Sequence, residues 1–525
     1  MKEIKILDCT LRDGGYVNNW NFGYSTINAI IGNLSQAGID TVECGFLSET
    51  KETDADKSVY RTLTEVNERF AGVNSRMACM VNYGEYAIED LPESGKDDKV
   101  KTLRIAFHRK DLQAALTFCA EVKKRGYEVF VQPMVTQAYS TEELDYLLGK
   151  TNEIGAAAVY VVDSFGTMRQ EDAVQLFKYY DVRLNKDVQV GFHSHNNLQL
   201  SFSSAQELIK IETERILVLD SSVFGMGRGA GNLCTELLTM HLNEKCGAKY
   251  NLIPILEIID NWLSPIFNAS PWGYSVPYYI AAINNCHPNY ATWLVNKATL
   301  GVKAINEIIS QLPEEYRKNY KPKVIEELYQ NYQSHAEEDT SSIKGLKEYI
   351  ADRVVLLMAP GRMLKERLAD VQNFILKHNV CVIAVNFDPE EVCADMLFIS
   401  NMKRFSTLQG LTTKKQIVTS NIQGAENAQW RVDYASLTDN HYEEIDNAGM
   451  MVLRLMKRLG VKHVALAGFD GYSTNQQQNY VSEKMILNTS AEVLEQRNTA
   501  IIQQIEGLKA NFEIEFVTPS MYEKK

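Results

Sequence analysis

Chain breakers are scarce in this sequence. Twelve prolines and 30 glycines among 525 residues exclude a collagen-like repeat and a proline-rich array of linkers. No uncharged apolar run of about 18 residues occurs, so no membrane-spanning helix is expected. The start, Met1–Leu7, lacks the apolar core and cleavage site of a secretory signal and runs straight into a strand-like pattern. The nine cysteines include no CxxC pair; an odd, dispersed set reads as reduced core thiols in a cytoplasmic protein. Positive charge is in the minority, 54 Lys and Arg against 67 Asp and Glu, for a net −13. That balance argues against a general nucleic-acid binder, whose affinity comes from neutralising phosphates. It leaves room for a small anion, because one buried arginine can bind a carboxylate. What remains is the make-up of a globular protein, 45% hydrophobic and 23% charged.

Residues 1–250 repeat a strand-then-helix rhythm. Apolar or β-branched runs stand at Ile4–Cys9, Thr41–Phe46, Arg76–Val81, Thr102–Phe107, Glu128–Gln132, Ala158–Asp163, Val188–His193 and Ile216–Asp220. Segments with helical spacing lie between them, among them Ser25–Ala37, Asp111–Lys124, Thr141–Ile154 and Ser203–Ile211. Eight such pairs predict an α/β fold, a (β/α)8 TIM barrel, rather than an open sheet. Residues 251–342 turn helical and end in the polar stretch Gln333–Ser342, the best linker candidate. From 343 to 525 a second rhythm begins, with strand candidates at Arg353–Met358, Val382–Phe387, Met396–Ser400, Gln416–Thr419, His463–Ala467 and Phe512–Val517. It predicts a separate, doubly wound Rossmann-like domain.

Three segments carry chemistry. Leu7-Asp8-Cys9-Thr10-Leu11-Arg12-Asp13-Gly14-Gly15-Tyr16 follows the first strand, on the face where barrel active sites lie. Arginine there supplies fixed donors to a carboxylate or oxyanion, and aspartate a hard oxygen ligand. A plain Arg-Asp salt bridge beside a glycine turn explains that segment equally well. Gly191-Phe192-His193-Ser194-His195-Asn196 ends the seventh strand, where residues two apart share a face. Joined with Asp13, the imidazoles of His193 and His195 make a metal-binding set with open positions for substrate and water. Phe224–Asn232, with glycines at 225, 227, 229 and 231, follows the eighth strand. It reads as the wall of that site, with Gly227 against the substrate and Asn232 a further oxygen ligand. Among other strand ends, Glu43 and Arg104 read equally as substrate contacts or an interior salt-bridge layer. Asp163 reads as a site residue. His108 reads as a surface residue unless it points inward.

Together these segments resemble the metal-dependent aldolase and lyase superfamily of TIM barrels, which includes 4-hydroxy-2-oxovalerate aldolase, 3-hydroxy-3-methylglutaryl-CoA lyase and isopropylmalate synthase. Thr10-Leu11-Arg12-Asp13-Gly14, His193-Ser194-His195-Asn196 and Gly229–Asn232 carry the resemblance, in the family's order. It implies that Asp13, His193 and His195 bind a divalent cation and that Arg12 holds the oxygen that becomes an enolate. Mn²⁺ or Mg²⁺ suits an oxygen-chelating substrate, and Zn²⁺ suits the imidazoles. The implied reaction cleaves or forms a C–C bond of a 4-hydroxy-2-oxo acid through a pyruvate enolate, giving an aldehyde. The family's aldolases place a histidine base where Tyr16 stands, so Tyr16, His108 or a metal-bound water is expected to move the proton. The aromatic run Trp272–Tyr278 is similar to a region bearing a catalytic tyrosine, which implies Tyr274. His287, before Pro288, reads equally as a pocket residue or a helix boundary. No lysine lies in Val159–Asp163, which disfavours a Schiff base.

Two other readings stay open. One is a Claisen-type synthase or lyase using an acyl-CoA, although Ser222–Gly225 lacks the lyases' cysteine. The other is a non-catalytic metal-binding barrel that scaffolds a partner. The carboxy-terminal part loosely resembles nucleotide-sugar or pterin-type Rossmann-like domains through Val354–Leu364 and Leu466–Tyr472. That resemblance implies a nucleotide or nucleotide-sugar ligand. No nucleic-acid or membrane partner is expected, and homo-oligomerisation is left open.

Overall fold

A computed structural model describes residues 2–523, apart from 298, 335–336, 409–411, 440, 442–445, 476–478 and 482–490. The chain divides into two compact units, Met1–Pro288 and Asn289–Lys525.

In the first unit the strands are β1 (Ile4–Asp8), β2 (Thr41–Leu47), β3 (Val59–Tyr60), β4 (Arg76–Asn82), β5 (Val100–Phe107), β6 (Glu128–Pro133), β7 (Ala158–Asp163), β8 (Gln189–Ser194) and β9 (Leu217–Ser221). All except β3 form a closed parallel barrel, in which β1 pairs with both β9 and β2. The eight expected runs are its eight staves; the two-residue β3 is an addition at the edge of β2. Every residue of β2 is buried, as expected of a stave covered on both faces. At Gly45, φ is +145° and a side chain would strike the Ser58 carbonyl; the register between β2 and β4 shifts there. That bulge bends β2 at the mouth of the barrel.

The outer helices follow from apolar spacing and caps. Thr141–Ile154 starts at a Ser140–Glu143 capping box and ends at left-handed Gly155. Its buried stripe is Leu144, Leu147, Leu148 and Thr151, and replacing the Ser140 cap by alanine should cost about 1 kcal/mol. No helix among the described residues is long and apolar enough to cross a membrane.

The second unit holds a seven-stranded parallel sheet: β10 (Val354–Met358), β11 (Val380–Val385), β12 (Met396–Ile399), β13 (Lys415–Thr419), β14 (Trp430–Val432), β15 (His463–Ala467) and β16 (Glu513–Phe516). Their order is β14-β13-β12-β11-β10-β15-β16, so the winding reverses at β10, as in doubly wound folds. The expectation of six strands missed β14, whose three residues offer no alternation to read. The linker candidate is packed into this unit. Gln333 is 1% exposed, Glu337 pairs with Arg431, and Asp339 pairs with Arg458. Its polar composition serves ion pairs as well as solvent; residues 335–336 lie outside the described residues.

Candidate active site

β1 ends at Asp8, and the chain turns at once into the short helix Thr10–Asp13. The Asp8 carboxylate fixes that turn, accepting from the Thr10 backbone N–H at 2.9 Å and the Thr235 hydroxyl at 2.7 Å. Burial pushes Asp8 up to about 6. Arg12 and Asp13 are thereby delivered to the carboxyl end of the barrel. The end of β8 brings His193, and His195 follows just beyond it. The two imidazoles stand edge to face with ring centres 5.3 Å apart. Asp13 Oδ2 lies 4.0 Å from His193 Nε2 and 3.9 Å from His195 Nδ1. One donor atom each from Asp13, His193 and His195 falls within 4.8 Å of the others, all three residues buried.

A continuous chain of charges holds these groups. Arg12 donates from Nη1 to Asp13 Oδ1 and from Nε to Glu43 Oε2, both at 2.8 Å. The same Glu43 oxygen pairs with Arg104 Nη1 at 2.8 Å. Arg104 also pairs with Asp220 Oδ2, which receives His193 Nδ1 at 2.9 Å. Burial would raise Asp13, but Arg12 and the two imidazoles outweigh it and hold the carboxyl well below its usual range. Asp220 is lowered likewise, against burial, by Arg104 and His193. Burial drives His195 down to about 3, so its ring is the neutral imidazole that ligates metals. With Nδ1 of His193 tied to Asp220, its Nε2 is the nitrogen turned to Asp13, the arrangement that fixes a ligating histidine.

The residues fit a divalent cation on their own evidence. Among the described residues, His195 Nδ1 and Asn232 Oδ1 are buried without a hydrogen-bond partner. Asn232 donates to Asp13 Oδ2 at 2.6 Å, which places its amide against the cluster. Gly227 closes the wall: a side chain there would come within 2.5 Å of the Asn232 amide and 3.2 Å of Asp13. A carboxylate and two imidazoles make a mixed N/O set for Mn²⁺, Mg²⁺ or Zn²⁺.

The other sequence candidates separate by place. Glu43 and Arg104 are wholly buried in the salt-bridge layer. Asp163 accepts from the backbone N–H groups of Thr167 and Met168, shaping the loop after β7. Tyr16, 41% exposed, lies at the mouth with its ring 4.9 Å from Trp20 and 5.7 Å from the Arg228 guanidinium. His108 is exposed after β5. Tyr274 is 56% exposed, its ring 6.4 Å from Tyr279. Its sequence neighbours Trp272 and Tyr278 are the ones that reach the glycine loop: Trp272 donates to the Phe224 carbonyl, and Tyr278 sits against Gly229.

Sequence reasoning gave no role to Asp220 or Arg228. Asp220 matters only through register, which sets it beside His193 on the adjacent stave. Arg228 donates to the Ser164 carbonyl at 3.0 Å and lies over Tyr16. The one available signal was an arginine set among four glycines at a strand end. His287 packs its ring 5.3 Å from Phe165, and burial, followed by Arg228 and His108, lowers it to about 3. Pro288 indeed opens the next helix.

Comparison with known proteins agrees with this geometry. Residues 3–260 match the HMGL-like family. An oxaloacetate decarboxylase from Mycobacterium tuberculosis is 27% identical over 282 residues, covering 52% of this chain and 80% of that protein. A 4-hydroxy-2-oxovalerate aldolase from Carboxydothermus hydrogenoformans is 29% identical over 279 residues, covering 50% and 78%. Among solved structures, the N-terminal domain of a protein assigned as an aldolase from Bacteroides vulgatus aligns with a TM-score of 0.50 at 29% identity, covering 56% of this chain and 96% of that one. The barrel is thus similar to HMGL-like lyases and aldolases.

Proposed function

We propose that the barrel is a divalent-metal-dependent aldolase that cleaves or forms the C3–C4 bond of a 4-hydroxy-2-oxo acid through the enolate of pyruvate. The observation that carries this reading is the buried Asp13–His193–His195 cluster with Arg12 hydrogen-bonded beside it. When bound, the cation supplies Lewis acidity toward the carboxylate and keto oxygen of the substrate. Asp13, His193 and His195 would hold it, with Asn232 a fourth donor. Arg12 places a fixed positive charge where enolate charge develops, and Glu43 prevents the guanidinium from turning away. Such preorganised charge acts more strongly in a buried site than in water. Tyr16 stands at the mouth to exchange a proton with the 4-hydroxyl, with Arg228 beside its ring.

One observation favours a second reaction on the same enolate. Decarboxylation of a 3-carboxy-2-oxo acid such as oxaloacetate needs no base for a 4-hydroxyl, and Tyr16 stands where a histidine base would serve aldol cleavage. The relative from Mycobacterium tuberculosis bears that activity's name. The test is pyruvate release by the metal-loaded protein from a panel of 4-hydroxy-2-oxo acids and from oxaloacetate, corrected for metal alone. Aldehyde formed in step with pyruvate supports the aldolase. Turnover of oxaloacetate alone replaces it with the decarboxylase. Absence of turnover on both, with metal bound, removes the catalytic reading.

A further inference from the structure

In the second unit a cleft of about 200 Å³ opens at the carboxyl ends of β10, β11, β12 and β15. This is where the strand order reverses, the place where open parallel sheets bind small molecules. Backbone bonds hold its floor: Ala359 N–H donates to the Ala467 carbonyl and Gly361 N–H to the Gly468 carbonyl, joining the loops after β10 and β15. Asn498 pins the next residues, accepting from the Tyr472 N–H and donating to the Tyr472 carbonyl. The walls are therefore built before any ligand arrives.

Among the described residues, three cationic side chains, Lys297, Arg404 and Arg497, line this cleft in a chain whose net charge is −13. Burial is the largest influence on Arg404 and lowers its pKa, so an anion beside it restores what desolvation removed. Two carboxylates also line it. Asp446 is already occupied by the hydroxyls of Tyr329 and Tyr434. Asp470 is not: Oδ2 accepts the Met363 N–H at 2.7 Å, while Oδ1 is buried without a partner among the described residues. An unsatisfied acceptor would repel a bare phosphate but suits a sugar hydroxyl. Tyr472 and Tyr480 add aromatic surface. The helix Ala448–Leu459 also starts here, but Asn447 already accepts its Gly449 and Met450 N–H groups. Recognition of an anion thus falls to the arginines and the lysine.

We propose that this cleft binds a nucleotide, its phosphates on Lys297, Arg404 and Arg497, its sugar on Asp470 and its base against Tyr472 and Tyr480. Guanidinium forks match phosphate oxygens in pairs, and an acidic residue taking a ribose hydroxyl is the usual division of labour in such folds.

Calorimetric titration of the full-length protein with UDP, CDP, ADP, GDP and inorganic pyrophosphate tests the assignment. At least one nucleoside diphosphate should bind with a Kd below about 1 mM. Arg404→Gln and, separately, Arg497→Gln should weaken it about tenfold or more, with circular dichroism unchanged. Asp470→Asn should weaken the nucleotide and spare pyrophosphate. Two arginine variants guard against one failing to fold. The proposal is overturned if the folded wild-type protein binds no nucleotide, or if binding survives both arginine changes. Pyrophosphate binding as tightly as every nucleotide would likewise overturn it.

Discussion

The two parallel sheets carry polar groups to their carboxyl ends in opposite conditions. In the barrel, closure brings side chains from non-adjacent staves onto one floor, and the charges interlock from Asp13 through Arg12, Glu43, Arg104 and Asp220 to His193. In the open sheet, the groups around the cleft come from loops and from the helices Met402–Leu408 and Ala491–Leu508, and Asp470 keeps an oxygen without a partner among the described residues. A closed sheet can preorganise charge from within itself; an open one leaves part of that to what binds. Taking an ion pair out of water costs several kcal/mol, so the barrel's layer is retained for positioning rather than for stability.

The largest expected break in that contrast is at the cluster itself. His193→Ala or Asp13→Asn should remove bound metal and lower pyruvate release by about a thousandfold, read by metal analysis and coupled assay. Arg12→Lys keeps the charge but loses the fork that engages Asp13 and Glu43. It should lower kcat by about a hundredfold at saturating metal, with metal content unchanged. Asp220→Asn attacks only the positioning: metal affinity should fall about 10–100-fold in titrations, and unfolding free energy by about 3 kcal/mol as Arg104 loses a buried partner. In the second unit a pair whose arginine reaches solvent should matter least. Arg458→Ala, which frees Asp339, should cost about 0.5–1 kcal/mol in denaturant unfolding and leave pyruvate release unaltered.

These unequal effects mirror what was legible. The barrel staves declare themselves because strands buried on both faces are largely apolar, and β2 is buried throughout even though it carries Glu43. Asp13, His193 and His195 could be singled out because the two histidines stand two residues apart at the end of one strand and Asp13 lies at the same mouth. Asp220 could not, since its meaning depends on register with His193, which no local pattern encodes. Nor could the choice between Tyr274 and Tyr278 be made in advance: four residues decide which aromatic ring faces the glycine loop and which faces water. The chemistry of Gln333–Ser342 was misleading for a related reason. Ion-paired residues such as Glu337 and Asp339 have the composition of solvated ones.

The most direct test of the central claim is divalent-cation binding to the full-length protein and to its His193→Ala and His195→Ala variants, measured beside pyruvate release on the same samples. One tightly held cation per wild-type chain is expected, lost in both variants together with activity. Wild-type metal content in a folded, inactive His193→Ala variant, or undiminished activity without metal, would contradict it.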